Sequence, residues 1–253
     1  MIDIEHVYQT FGSRQILKDV CLKIRSGETM VILGASGSGK STILKLIIGL
    51  LQPTQGKVIV DGQDMGSLSE KELNQARQNM GMVFQYSALF DSMNVKENIA
   101  FGPRMHLHLS EEEVNQIVAE KLHLVGLDGM EEIMPANLSG GMKKRVSLAR
   151  AIAMEPKIIL YDEPTAGLDP IRSADIGLLI KSMQKVFHAT SVVVTHDLRL
   201  ADTVADQMAF LYKGSFLAVG TPEFLHQSKD LRVRQFMEGL PSGSVTNGEG
   251  EIL

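Results

Sequence analysis

The chain has one cysteine, Cys21, so no internal disulfide can form and a reducing compartment is expected. A lone thiol of this kind reads as a small buried hydrophobe. Tryptophan is absent and aromatics make up only 5%, so the core must be built from aliphatic side chains and from the 14 methionines, which pack adaptably. Every apolar run is interrupted well short of a membrane span. The start, Met1-Ile2-Asp3-Ile4-Glu5, has neither the charged nor the apolar region of a signal peptide, and a cytosolic protein is expected. There is no basic excess. The net charge of −5 weighs against broad nucleic-acid binding, and no nucleic-acid partner is expected. What is present is 44% hydrophobic content over 253 residues, enough for a core that folds without staples.

The most informative stretch is Gly34-Ala35-Ser36-Gly37-Ser38-Gly39-Lys40-Ser41-Thr42. It follows the apolar run Thr29–Leu33 and precedes Ile43–Ile48, which reads as buried strand, glycine-rich loop and helix. By composition, G-x-x-x-x-G-K-[ST] arises by chance in only about 1% of chains this long, and the flanks lower that further. Small residues let successive N–H groups turn inward onto phosphate oxygens at the positive end of the helix. Lys40 is expected to reach the β- and γ-phosphates and Ser41 to ligate Mg²⁺, so ATP and Mg²⁺ are the expected cofactors.

Around this loop the chain alternates between strand and helix. Ile2, Ile4 and His6 alternate with Asp3, Glu5 and Val7 as a half-buried strand, and Val20, Leu22 and Ile24 alternate again, an antiparallel flap beside the main sheet. Between them Phe11 precedes Gly12 in a turn, where it either stacks on a nucleotide base or belongs to the core. Asp61-Gly62 reads as a hairpin turn. Ser69 with Glu72, Asn94 with Glu97, and Ser110 with Glu113 read as helix-capping pairs. Val114, Ile117, Val118, Lys121, Leu122 and Val125 have helical spacing. From about Ala88 to Pro156 the chain reads as an inserted helical subdomain. Leu89, Phe90 and Met93 lie in a segment too short to bury them, a groove for a partner helix or packing within the insert. Near the insert's end, Leu138-Ser139-Gly140-Gly141-Met142 opens a helix and makes a second anion site. The cluster Lys143-Lys144-Arg145 reads as a solvated face.

Three further strands deliver polar groups at their ends, where α/β sheets place ligand contacts. Met80–Phe84 ends at Gln85, a candidate Mg²⁺ or water contact. Ile158–Tyr161 ends at Asp162-Glu163. Asp162 suits Mg²⁺, and Glu163, on the other side of the strand alternation, suits a base for water attacking the γ-phosphate. Tyr161 carries a hydroxyl that needs a partner. Ser191–Thr195 ends at His196, on the same edge as Gly34, Gln85 and Asp162, and is expected to contact the γ-phosphate. The other six histidines show no metal-ligand spacing supported by Cys or carboxylate, and His106 and His108 read as helix surface. A helix from about Ile171 to Phe187 should face the core with Ile176, Leu179, Ile180, Met183 and Val186. Gln207–Tyr212 and Ser215–Val219 read as a closing hairpin, Thr221-Pro222-Glu223 as a helix start, and the tail from Pro241 as disordered.

The glycine-rich loop, Gln85, Leu138-Ser139-Gly140-Gly141, Asp162-Glu163, Gly167-Leu168-Asp169 and His196 stand in the order and spacing of an ATP-binding cassette (ABC) ATPase, which the chain resembles over about residues 2–240. The resemblance implies an α/β fold, a P-loop NTPase (RecA-like) core with an antiparallel β subdomain and an inserted α-helical subdomain. It also implies one domain over 1–240, with core 1–87 and 156–240, helical subdomain 88–155, and a tail at 241–253. It further implies a head-to-tail homodimer in which Ser139, Gly140, Gly141 and Asp169 join the nucleotide site and Ser139 and Gly141 act in trans. Phe11 fits the adenine-stacking aromatic.

Met142 stands where the commonest signature has Gln. With Gln85–Val95 and Arg232–Gly239 it resembles the ATPase subunit of Mla/MCE-type phospholipid transporters. That resemblance implies a membrane permease, an MCE-domain subunit and a STAS-domain subunit as partners, and a peripheral place on the cytoplasmic face of the inner membrane. An importer of small solutes is the nearer alternative, and a non-transport ABC protein the more distant one.

Overall fold

The computed structural model describes residues 2–240, so the tail expected to be disordered lies outside the described residues. Strands β1 (Ile2–Phe11) and β2 (Arg14–Ile24) pair antiparallel across a turn at Gly12. The expected alternation fails at His6, which is exposed, while Ile2, Ile4 and Val7 are buried. Bulges at His6 (φ 48°) and Asp19 (φ 51°) shift the register, and each extra residue reverses the face on which later side chains emerge. Cys21 is exposed, against the reading of a buried thiol, because it stands between the buried Val20 and Leu22 in regular alternation. The reading of the histidines is corrected as well: His6 Nδ1 lies 2.8 Å from Asp19 Oδ1 and 3.5 Å from Cys21 Sγ. These partners come from across the hairpin, beyond the reach of local spacing.

Strand β3 (Thr29–Leu33) is buried throughout and runs through the glycine-rich loop into α1 (Lys40–Ile47). Strands β4 (Gln55–Val60) and β5 (Gln63–Asp64) are joined by Asp61 and Gly62, both at positive φ as a tight hairpin turn requires. A four-stranded sheet results, ordered β2-β1-β4-β5. Helix α2 (Glu70–Gln78) starts at the Ser69–Glu72 capping box and leads to β6 (Met80–Val83). Helices α3 (Val95–His106) and α4 (Glu111–Leu124) carry the expected capping boxes at Asn94–Glu97 and Ser110–Glu113. His106 ends α3, whereas His108 lies beyond it. Then come α5 (Gly140–Ile152), β7 (Ile158–Asp162), α6 (Pro170–Phe187), β8 (Thr190–Thr195) and α7 (Leu198–Val204). The antiparallel pair β9 (Gln207–Tyr212) and β10 (Ser215–Gly220) and the short helices α8 (Pro222–His226) and α9 (Leu231–Met237) complete the described chain.

These elements form two compact units, residues 2–67 with 194–240, and residues 68–193. In the first, β3 pairs parallel with β9 from Met30↔Gln207 to Leu33↔Phe210. In the second, β6 pairs parallel with β7 from Met80↔Ile158 to Val83↔Tyr161, and β8 lies beside β7. In α6 the core face is Ile176, Gly177, Ile180 and Met183, with Val186 exposed near the helix end, against expectation. Lys121 on the core face of α4 is buried because its ammonium reaches Glu120 at 2.8 Å and Glu155 at 2.9 Å. Burial pushes the Tyr161 hydroxyl pKa up, and the Ser191 side chain, which faces it, opposes that shift.

Gly81 lets β6 meet α5 at backbone distance: a Cβ there would stand 2.4 Å from the Ala151 carbonyl oxygen. Gly81→Ala is therefore expected to lower stability by about 1–3 kcal/mol, measured by urea unfolding, because neither backbone can yield without moving a whole element.

Candidate functional site

Within the first unit, the loop between β3 and α1 is the candidate anion cradle. Gly37 (φ 78°) and Gly39 (φ 108°) take backbone angles that L side chains rarely adopt. Gly34 is needed for a different reason, since a Cβ there would stand 2.5 Å from the Leu211 carbonyl oxygen and 2.8 Å from Ser38 Oγ. Lys40 is buried and donates from Nζ to the carbonyls of Gly34 at 2.7 Å and Ala35 at 3.2 Å. Ser38 Oγ is buried with no partner among the described residues, a polar atom that an arriving phosphate oxygen would satisfy. A cleft of about 350 Å³ opens over Ala35, Ser36, Gly37 and Ser38 and is walled by Arg14, Ile16 and Lys213. Phe11 is exposed at the end of β1, paired in register with Arg14 of that wall. His196 is exposed directly after β8, and Asp197 caps α7. The loop thus fits a polyphosphate through N–H groups, one ammonium and one partnerless hydroxyl.

The second unit holds the carboxylates and the second glycine loop. The parallel register of β6 and β7 carries Gln85 and Glu163 out of the same end. Asp162 and Glu163 are both buried, and Glu163 takes a left-handed φ of 45°. Within this unit Gln85 and Asp162 offer hard oxygen donors of the kind that Mg²⁺ selects. Ser139 caps α5, accepting from the Met142 N–H at 3.3 Å. Gly140 and Gly141 sit where a Cβ would approach Leu168 and Arg172, at 3.7 and 3.6 Å. Asp169 caps α6, accepting from the N–H groups of Ile171 and Arg172, and these bonds hold its carboxyl below the usual range. A pocket of about 170 Å³ lies at the α5 start, lined by Ser139, Gly141, Arg145, Arg172 and Asp175. There a helix N-terminus and two guanidinium groups are set against two carboxylates, Asp175 at 3.9 Å from Arg145 and Asp169 at 3.3 Å from Arg172.

Lys143-Lys144-Arg145 is the clearest correction at the site. Lys144 is only 5% exposed, and its Nζ donates to the carbonyls of Gln85 at 2.5 Å and Glu163 at 3.4 Å. Burial pulls its pKa below the usual lysine value, against the attraction of the Asp162 and Glu163 carboxylates. Arg145 turns to the Val125 carbonyl at 2.7 Å. A run of three cations reads as solvent-facing, and only the helical phase of α5 distinguishes the inward one.

The profile of the ABC transporter family matches residues 17–166. The chain belongs to the ABC transporter family. It is the ATP-hydrolysing kind of subunit, and the family binds ATP, generally with Mg²⁺. It is 44% identical to the Haemophilus influenzae intermembrane phospholipid transport system ATP-binding protein MlaF, over 97% of this chain and 93% of that protein. It is also 44% identical to a probable ribonucleotide transport ATP-binding protein, mkl, of Mycobacterium leprae, over 98% of this chain and 72% of that one. A dimeric ATP-binding cassette solved in a post-hydrolysis state with ADP and Pi superposes with a TM-score of 0.81 at 34% identity, covering 87% of this chain and 98% of that one. ABC ATPases work as dimers with membrane permeases.

Because Ser38 Oγ has no internal partner, Ser38→Ala is expected to leave stability without nucleotide within about 0.5 kcal/mol. The same change should weaken MgATP binding severalfold. Urea unfolding and nucleotide titration of the one variant check both halves.

Proposed function

We propose that the chain drives phospholipid transport as the ATPase subunit of an Mla/MCE-type system. The single observation that carries this reading is the 44% identity with MlaF over nearly the whole of both chains. Met142 and the segment from Gln85 to Val95 support it. In this reading Lys40 and the N–H groups from Gly34 to Thr42 hold the phosphates, with Ser36, Gly37, Ser38 and Gly39 shaping the loop. Ser41, Gln85 and Asp162 hold Mg²⁺, which when bound neutralises phosphate charge. Glu163 takes the proton of the attacking water on its carboxylate, and His196 contacts the γ-phosphate. Phe11 stacks on adenine. Ser139, Gly140, Gly141 and Asp169 complete the site of the opposite protomer, so that the chain acts as a homodimer within one cassette domain over 1–240.

The permease docks on the loop after Gln85, with MCE-domain and STAS-domain subunits in the same assembly, and the protein lies peripherally on the cytoplasmic face of the inner membrane. No helix among the described residues is long and apolar enough to cross a membrane, which suits a subunit that borrows its membrane span. The docking reading has a physical basis. Tyr86 is 88% exposed and Phe90 is 41% exposed, and Phe84, Phe101 and Met105 of the same unit are exposed as well. The mkl relative, named for ribonucleotide transport, favours a second reading in which the permease passes a polar solute.

Glu163→Gln should retain ATP binding, abolish turnover and accumulate an ATP-bound dimer, because the amide contacts water but cannot take its proton. Sizing with MgATP and a phosphate-release assay check this. Mixing a Lys40→Ala chain with a Ser139→Arg chain should restore one intact site per heterodimer, and no gain over either parent would count against composite sites. Tyr86→Ser or Phe90→Ala should leave ATP affinity unchanged and reduce copurification of the permease; mass spectrometry of the native complex then separates a lipid transporter from a solute importer.

A further inference from the structure

Three side chains on successive turns of α5 take up the carbonyls of the loop after Gln85. Lys144 Nζ donates to the Gln85 carbonyl at 2.5 Å, Ser147 Oγ to the Ser87 carbonyl at 3.0 Å, and Arg150 to the carbonyls of Ser87 at 3.0 Å and Ala88 at 2.7 Å. Ser87 (φ 63°) and Ala88 (φ 47°) are held left-handed, a conformation that disfavours both residue types and turns their carbonyls toward the helix. The loop's far side is fixed independently. Buried Asn98 accepts from the Phe90 N–H at 2.8 Å and donates to the carbonyls of Phe90, Met93 and Asn94 at 3.0–3.1 Å. The Phe90 ring packs on Phe101 at 4.9 Å and under the Arg150 guanidinium at 5.8 Å.

Of the α5 residues in this row, Lys144 alone also reaches the turn after β7, at the Glu163 carbonyl, 3.4 Å away. Glu163 is another non-glycine residue at positive φ, and the direction of its carboxylate depends on how that turn is held. One buried ammonium therefore bridges the first residues of two strand-end turns. One turn carries the exposed aromatic loop, the other the paired carboxylates. Arg150 and Ser147 hold the first turn and leave the second untouched.

We propose that Lys144 is a positioning residue that ties the Gln85 turn to the Glu163 turn, so that displacement of the exposed loop reaches the carboxylate through this one side chain. The catalytic part of this inference rests on the ATPase reading of Glu163, while the mechanical part stands on the hydrogen bonds alone. A side chain at this position without an N–H donor takes the Gln85 carbonyl's donor away and leaves the Glu163 carbonyl only the Ala166 N–H, at 3.1 Å, which uncouples the turns. The effect belongs to turnover, because Lys144 lies outside the phosphate loop and a displacement of about 1 Å at a reacting group is enough to cost up to a hundredfold in rate.

The test uses the full chain and two independent readouts. In hydrogen exchange, Lys144→Met should raise exchange of the amides of residues 85–90 and 163–168 together, by about fivefold or more, while Arg150→Met should raise it at 86–90 only. In steady-state hydrolysis, Lys144→Met should lower kcat about tenfold with the KM for MgATP within twofold of wild type, and Lys144→Arg, which keeps donors in reach of both carbonyls, should recover most of the rate. If Lys144→Met does not fold, Lys144→Ala, which also lacks a side-chain donor, takes its place in both assays with the same expectation. Exchange at 163–168 that stays at the wild-type level, or that rises no more than in the rest of the chain, overturns the proposal. So does a kcat equal to wild type. A wild-type chain that fails to bind or hydrolyse ATP sinks the ATPase reading instead, and the exchange pattern still decides the tie.

Discussion

A buried backbone polar group at a strand end must find a partner, and this constraint orders most of what surrounds the strand ends of this chain. Where β3 ends, the loop from Gly34 to Gly39 borders an open cleft and leaves the buried Ser38 hydroxyl without a partner among the described residues. Where β6 and β7 end, carbonyls face the interior instead, and α5 supplies ammonium, hydroxyl and guanidinium donors to them. Donors left for an anion and acceptors satisfied by cations are opposite solutions to one problem. The helices that follow strand ends show the same logic at smaller scale, with Asp169 and Asp197 accepting from the first N–H groups of α6 and α7.

Structure carried by contiguous residues was legible in the sequence. The buried strand, glycine-rich loop and helix stand where residues 29–47 put them, and the three capping boxes lie where serine or asparagine precedes glutamate by three residues. Burial patterns likewise placed β3, β7 and β8, whose apolar runs have no polar alternation. Lys144 was not legible, because a cation among cations carries no mark of which one turns inward, and its partners are carbonyls that any sequence would supply. His6 was misread because a bulge inverts parity and nothing in Glu5-His6 signals one, whereas Cys21 was misread by residue type, since the alternation of Val20, Leu22 and Ile24 already turns it outward. Val186 shows the limit of periodicity near a helix end, where the core falls away and position on the wheel no longer decides burial.

Similarity and geometry answer different questions here. Identity with MlaF and mkl runs along the whole chain and places it in the ABC transporter family, yet the two relatives carry names for unlike cargoes. The nucleotide-facing loops say nothing about cargo, since hydrolysis is the same whichever permease is attached. Cargo must be read from the surface that meets the permease, which in the docking we propose includes the exposed Tyr86 and Phe90, beside the turn that α5 grips.

Ser87, Ala88 and Glu163 all hold left-handed backbone angles that glycine would adopt at lower cost, by roughly 1 kcal/mol per residue. Glycine at these positions would relax the native turn and also soften it, multiplying the conformations open to each joint. A soft joint absorbs a displacement within a few bonds, whereas a stiff one passes it on as a lever does. The side chains at these three positions keep the turns stiff at the expense of stability, and stiffness is the property a subunit needs if hydrolysis in one place is to do mechanical work in another.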